Sequence, residues 1–142
     1  MRRALLLLAG LALAFASMAC QASVFELKVG DCFSGASSGT LSNVDVIDCA
    51  KAHDFEVYAI FDYPNAPSAY PGDAAISSAG QDGCVAPFAT FVGIDFNSST
   101  AYSFSFLKPT SDSWGSGDRT YDCLITSADG SQLTGSAKGT NK

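Results

Sequence analysis

The sequence is poor in the side chains that usually carry catalysis or metal binding. It has one histidine and one tryptophan in 142 residues. There is no C-x-x-C pair and no second histidine to complete an H-x₃₋₅-H pair, so the usual spacings of a structural zinc site are absent. A c-type haem attachment needs C-x-x-C-H, which is also missing. No G-x-S-x-G is present to raise a hydrolase serine on a strained turn. Asp45, Asp48, Asp54 and Glu56 are close in sequence but lack calcium-loop spacing, and read as solvated faces. Positive charge is scarce too. From Cys20 onward only six Lys and Arg oppose fourteen Asp and Glu, a net of −8, with no basic run. Nucleic acid and anionic headgroups need a positive patch and are poor partners for such a chain.

Long apolar runs are also lacking. The longest, Ala4–Ala16, has 13 residues, short of the ~18–20 that span a bilayer as a helix. It follows Arg2 and Arg3 and precedes small residues, the layout of an export signal. Cys20 comes next. An apolar run, small residues and then cysteine reads as a lipoprotein-type signal over residues 1–19, with Cys20 as the lipidated N-terminus. Residues 20–24 are then the lipid anchor and a short tether. Ala19 fits this pattern, whereas Ser17 stands where leucine is usual and Met18 where a smaller residue is usual. An ordinary signal cut after Ala19 or Ala22 stays open as the other reading. Cysteine arithmetic favours the lipid: of five cysteines, four can pair once Cys20 is acylated.

The remaining chain reads as one domain over residues 25–139. "VFELKVGDCF" is expected as a first strand ending at a Gly-Asp turn. "SGASSGTLSN" is a loop, and "VDVID" a second strand by alternation. "FEVYAIFDY" is β-branched and aromatic on both faces in its middle, which predicts a central strand. After the turn "YPGD", Asp73 is expected to cap a helix through "AAISSAGQDGC". Pro87 is expected to interrupt it, with "PFATFVG" restarting as a short turn that ends at Gly93. Tyr102, Phe104 and Phe106 alternate with Ser103 and Ser105, a strand with one buried face. "SDSWGSGD" reads as a loop, "RTYDCLITS" as a strand, "QLTGSAKG" as a short last strand and residues 140–142 as a loose tail. The fold class is therefore α+β: an antiparallel sheet with one helix packed across a face. A core this small is usefully supplemented by disulfides in an oxidising compartment.

"VGDCF", "DCAKAHDFEVYA", "YPGD", a "GC" within the helix and "KPTSDSWGSGDRTYDCLI", in that order, resemble the septum-formation domain family of actinobacterial envelope proteins. The likeness runs from about Leu27 to Gly139. Its most specific parts are Cys49–Val57 and Trp114–Arg119. It implies an exported, lipidated or tethered protein with a link to division and the cell wall. It implies no catalytic mechanism and fixes no ligand.

Four cysteines allow three pairings. Cys32–Cys49 would close the Ser/Gly loop between neighbouring strands, and Cys84–Cys123 would staple the helix to a late strand; these are the expected pairs. Cys49 four residues before His53 suggests a Cys–His couple. A working thiol must be free and activated, and here it is expected to be committed to a disulfide. His53 is then structural, holding Asp54 or Glu56 and pinning the turn into the following strand. Trp114 is expected as a lid on the core, and Arg119 as the partner of a framework acid such as Glu56 or Asp48. The sequence predicts no catalytic residue, cofactor or metal. It predicts a non-enzymatic, membrane-anchored binding or scaffolding lipoprotein on the outer face of the cytoplasmic membrane, with an envelope protein or cell-wall component as partner. A secreted, non-lipidated binding module and an envelope enzyme are the alternatives.

Overall fold

The computed structural model describes residues 21–35 and 43–142. The signal segment 1–19 and Cys20 lie outside the described residues. In chain order the elements are β1 (Gln21–Ser23), a 3-10 turn (Val24–Glu26), β2 (Cys32–Ser34), β3 (Asn43–Ile47), β4 (Ala52–His53), β5 (Phe55–Asp62), α1 (Asp73–Val92), a second 3-10 turn (Phe96–Ser98), β6 (Tyr102–Leu107), α2 (Ser111–Gly115), β7 (Thr120–Ser127) and β8 (Leu133–Thr134). Among the described residues, six strands form one antiparallel sheet in the order β1-β3-β2-β5-β7-β6, and β4 pairs with β8 beside it. This is the expected α+β architecture, with α1 across one face. No described helix is long and apolar enough to cross a membrane.

β5 is interior to the sheet, and its first four residues, Phe55–Tyr58, are all buried. Alternation then divides the core. On the helix side Tyr58, Cys123 and Ile125 meet Cys84, Phe88, Phe91 and Val92 of α1. On the other side Phe33, Val44, Phe55, Val57 and Leu124 form a second cluster, closed by Leu27 and Val24. Gly80 and Gly83 let α1 come close to the sheet. A Cβ at Gly80 would overlap the Phe106 ring, and one at Gly83 the Phe61 ring. Tyr58 and Tyr121 bridge the layers, donating their hydroxyls to the Cys84 and Ile76 carbonyls at 2.6 and 2.9 Å.

Several local expectations are corrected. Pro87 lies inside α1 rather than ending it. It removes one hydrogen bond, to the Gly83 carbonyl, but the buried row Ile76, Gly80, Cys84, Phe88, Phe91 and Val92 continues past it. Packing of that row outweighs the missing bond. Asp73 does not cap: Gly72 holds the cap position at φ 96°, and Asp73 instead accepts the Tyr70 hydroxyl at 2.5 Å. The helix does end at Gly93, whose left-handed φ of 95° lets its N–H reach Ala89.

The stretch "VFELKVGDCF" is not one strand. Val24 and Leu27 turn inward three residues apart, as a 3-10 turn allows, and Phe25, Lys28 and Val29 stay exposed. The segment expected as a loop around Trp114 contains α2, capped by the Thr110 hydroxyl on the Ser113 N–H and the Ser113 hydroxyl on the Thr110 N–H. Residues 140–142 are tied down rather than loose. The Asn141 N–H donates to the Val92 carbonyl at 2.9 Å, and the Lys142 carbonyl accepts the Ser99 hydroxyl at 2.8 Å.

Candidate functional site

The sheet brings the two halves of the Cys–His stretch to different tasks. Cys32 in β2 lies opposite Ile47 on one side and Glu56 on the other. The turn after β3 carries Cys49 back to it, and the two are bonded, with Cα atoms 5.3 Å apart. Cys84 of α1 and Cys123 of β7 are bonded likewise, Cα atoms 5.6 Å apart. Cys32, Cys84 and Cys123 are fully buried and Cys49 is half-buried, its sulfur 3.4 Å from the Gly30 carbonyl oxygen. The sulfurs of Cys32 and Cys49 and a Glu56 carboxylate oxygen lie within 4.8 Å of one another. Two thiolates and a carboxylate would be a metal-ligand set, but here both sulfurs are spent on each other.

Glu56 is fully buried. A buried carboxylate is tolerated only when its oxygens are hydrogen-bonded. One oxygen accepts the Ser136 hydroxyl and the other the Ala137 N–H at 2.7 Å. Glu56 thus fastens the chain's last turn onto the central strand. The pairing of β4 with β8 and the Gly135 N–H on the Cys49 carbonyl at 2.7 Å secure the same segment.

His53 is fully buried on β4. Its Nδ1 lies 2.8 Å from the Lys51 carbonyl, which can only accept, so Nδ1 donates to it. Among the described residues Nε2 has no partner. The expected contacts to Asp54 or Glu56 are not made. Asp54 accepts instead from the Gly35 N–H and the Gln132 amide, because β4 turns the ring inward while Asp54 stays half-exposed.

Trp114 is 3% exposed and forms a small core with Ile76 and Tyr121. Tyr63 and Tyr70 pack edge-on against it, at 5.4 and 5.8 Å between ring centroids. Its indole N–H donates to the Ser68 carbonyl at 3.3 Å. Arg119 does not reach Glu56 or Asp48. Its guanidinium lies 3.7 Å above the Trp114 ring and donates to the Trp114 and Asp118 carbonyls at 2.9 and 2.6 Å. The nearest π face and two local carbonyls satisfy it without a distant acid.

Asp122 was not singled out by its sequence context. It sits in β7 opposite Ile60 and Leu107, on the sheet face away from α1, and is 7% exposed. Burial, and then the charge of Asp118, push its carboxyl up to about 6. The one available signal was an acid in the middle of the apolar run "TYDCLI". A raised native pKa means that the folded state holds the proton more tightly than the unfolded chain does, whose Asp titrates near ~4. The stabilisation is complete below ~4 and is lost as pH rises through about 6. Over that range Asp122 should remove up to about 2–3 kcal/mol. Urea midpoints at low and neutral pH check this: Asp122→Asn should gain stability at neutral pH and show a smaller fall across the window. Parallel pH curves for variant and wild type would count against it.

Among the described residues the four cysteines are paired with one another, Glu56 holds Ser136 and Ala137, and Arg119 lies on Trp114, so these groups hold the fold together. A family model described as Septum formation matches residues 29–142. Proteins named "Putative lipoprotein LppN" from Mycobacterium tuberculosis and Mycobacterium bovis are 37% identical over 118 residues, covering 80% of this chain and 63% of theirs. The chain thus spans less than two thirds of the length of these relatives. No solved structure matches it. With its disulfide-stapled sheet and a match across most of its length, the chain belongs to the Septum formation family.

Proposed function

We propose that this protein is an exported lipoprotein held on the outer face of the cytoplasmic membrane through Cys20. In this reading its domain binds or scaffolds an envelope protein or cell-wall component during septum formation and performs no catalysis. One observation carries the reading. Cys32, Cys49, Cys84 and Cys123 are committed to one another, which leaves a fifth cysteine, Cys20, shortly after an apolar run and the residues Ser17 to Ala19. The family description and the name borne by its mycobacterial relatives support it. The use made of the reactive groups supports the non-catalytic part. Glu56 is taken by Ser136 and Ala137, the thiols by disulfides, and His53 is sealed in the core.

Stable tethering takes more than one acyl chain, which bacterial lipidation supplies. Cys20→Ala should therefore move the protein from the membrane fraction to the medium. Mass spectrometry of the wild-type N-terminus should show an acylated Cys20. A Cys20→Ala protein that stays in the membrane with its apolar run uncleaved would mean that the run itself is the anchor. The partner is sought with the wild-type protein as bait in envelope extracts.

A further inference from the structure

Phe25 and Val29 are the most exposed large apolar side chains among the described residues, at 69% and 53%. They are not on a loose strand. Val24 and Leu27, between and beside them, pack into the core on the sheet face away from α1. The turn that follows is fastened at three points. The Gly30 N–H donates to the Val57 carbonyl at 2.7 Å, the Asp31 N–H to the Lys28 carbonyl at 3.0 Å, and the Lys28 N–H to the Asp31 carboxylate at 2.9 Å. The fold therefore holds two apolar side chains in water on a rigid segment. Single exposed apolar side chains are common on protein surfaces, and it is the place of these two in the chain that gives them a partner.

The length of chain identifies the occupant. Phe25 is five residues from Cys20, so the two lie at most about 18 Å apart however the intervening chain runs. β1 begins at Gln21 and is paired to β3 from that first residue, leaving no slack between anchor and sheet. We propose that Phe25 and Val29 form a second membrane contact, entering the headgroup and upper acyl region of the bilayer beside the Cys20 anchor. This rests on the anchored reading above. Glu26, Lys28 and Asp31 leave the segment without a net positive charge, so the contact is apolar and interfacial rather than a salt-dependent attraction to anionic lipid. Because Val24–Glu26 covers the sheet face opposite α1, the contact also orients the domain. α1 faces away from the bilayer, toward the envelope.

A photo-crosslinking residue, benzoylphenylalanine, placed singly at Phe25, Val29, Ile60 or Val85 of the full chain tests this. The last two sites are the other exposed large apolar positions among the described residues, at 38% and 37%. All four are at the surface, so each substituted protein keeps its core. Membranes are isolated, irradiated and analysed by mass. Lipid-mass adducts at Phe25 and Val29, fewer at Ile60, which shares the sheet face away from α1 with Asp122, and none at Val85 on α1 are expected. Membrane-bound protein without lipid adducts at Phe25 and Val29, or with lipid adducts equally at Val85, overturns this inference and leaves the anchor intact. Crosslinks from Phe25 or Val29 to protein overturn it in favour of a second copy or a partner docked on this segment. Recovery of all four proteins from the medium overturns the anchored reading itself, and the contact with it.

Discussion

Replacing Cys84 and Cys123 together by alanine is expected to lower the melting temperature by roughly 15–20 °C, about 4 kcal/mol for a domain of this size. Two effects add. The bond closes a loop with a sequence separation of 39, and cutting it returns that loop's conformational freedom to the unfolded chain. Both cysteines are also fully buried between α1 and β7, so trimming them leaves unfilled space against Tyr58 and Phe88. The Cys32–Cys49 pair closes a shorter loop, with a separation of 17, and its Cys49 end is half-buried. Its removal should cost less, about 3 kcal/mol. Scanning calorimetry of the two double variants checks the order. A Cys84/Cys123 variant that melts within a few degrees of the wild type would mean that the layers are held by packing alone.

Glu56→Ala should be the most damaging polar substitution, by about 2–5 kcal/mol. It strips the acceptor from the Ala137 N–H, which is buried and has fixed geometry, and from the Ser136 hydroxyl, which can rotate toward water. It also opens a void on the central strand. The damage should be local before it is global. Residues 133–142 should lose amide-exchange protection first, because β8 is only two residues long and relies on Glu56 to hold the segment that follows it. Glu56→Gln keeps the shape and one acceptor, and should fall between wild type and alanine. If residues 133–142 stay protected in Glu56→Ala, the carboxylate is not what fastens them.

The strands were the most legible part of the sequence. β3, β5, β6 and β7 carry alternation or β-branched runs strong enough to show their pairing faces, and the apolar middle of β5 announced its interior position. Local rules misled where packing outvoted them. Pro87 should stop a helix, yet the buried row on α1 runs through it. The stretch "VFELKVGDCF" read as a strand ending at a Gly-Asp turn, yet the inward pair is Val24 and Leu27. The polar framework was the least legible. Glu56 and its partners are 80 and 81 residues apart, and no periodicity links such positions. Matching Arg119 to an acid by charge overlooked a π face five residues away. Asp122 looks like any strand acid until the sheet covers it.

Both disulfides join cysteines that are neighbours in the sequence, Cys32 with Cys49 and Cys84 with Cys123. A chain translocated N-terminus first delivers its thiols in that order. An oxidase acting on each thiol with the next to emerge would then make the native bonds directly, without an isomerase to reshuffle them. Cys20 alone would spoil the sequence, because as a free thiol it would be offered to Cys32 before Cys49 arrived and would shift every later pairing by one. Acylating Cys20 takes that thiol out of the reaction. In such a protein the lipid would act as a blocking group during oxidative folding as well as an anchor.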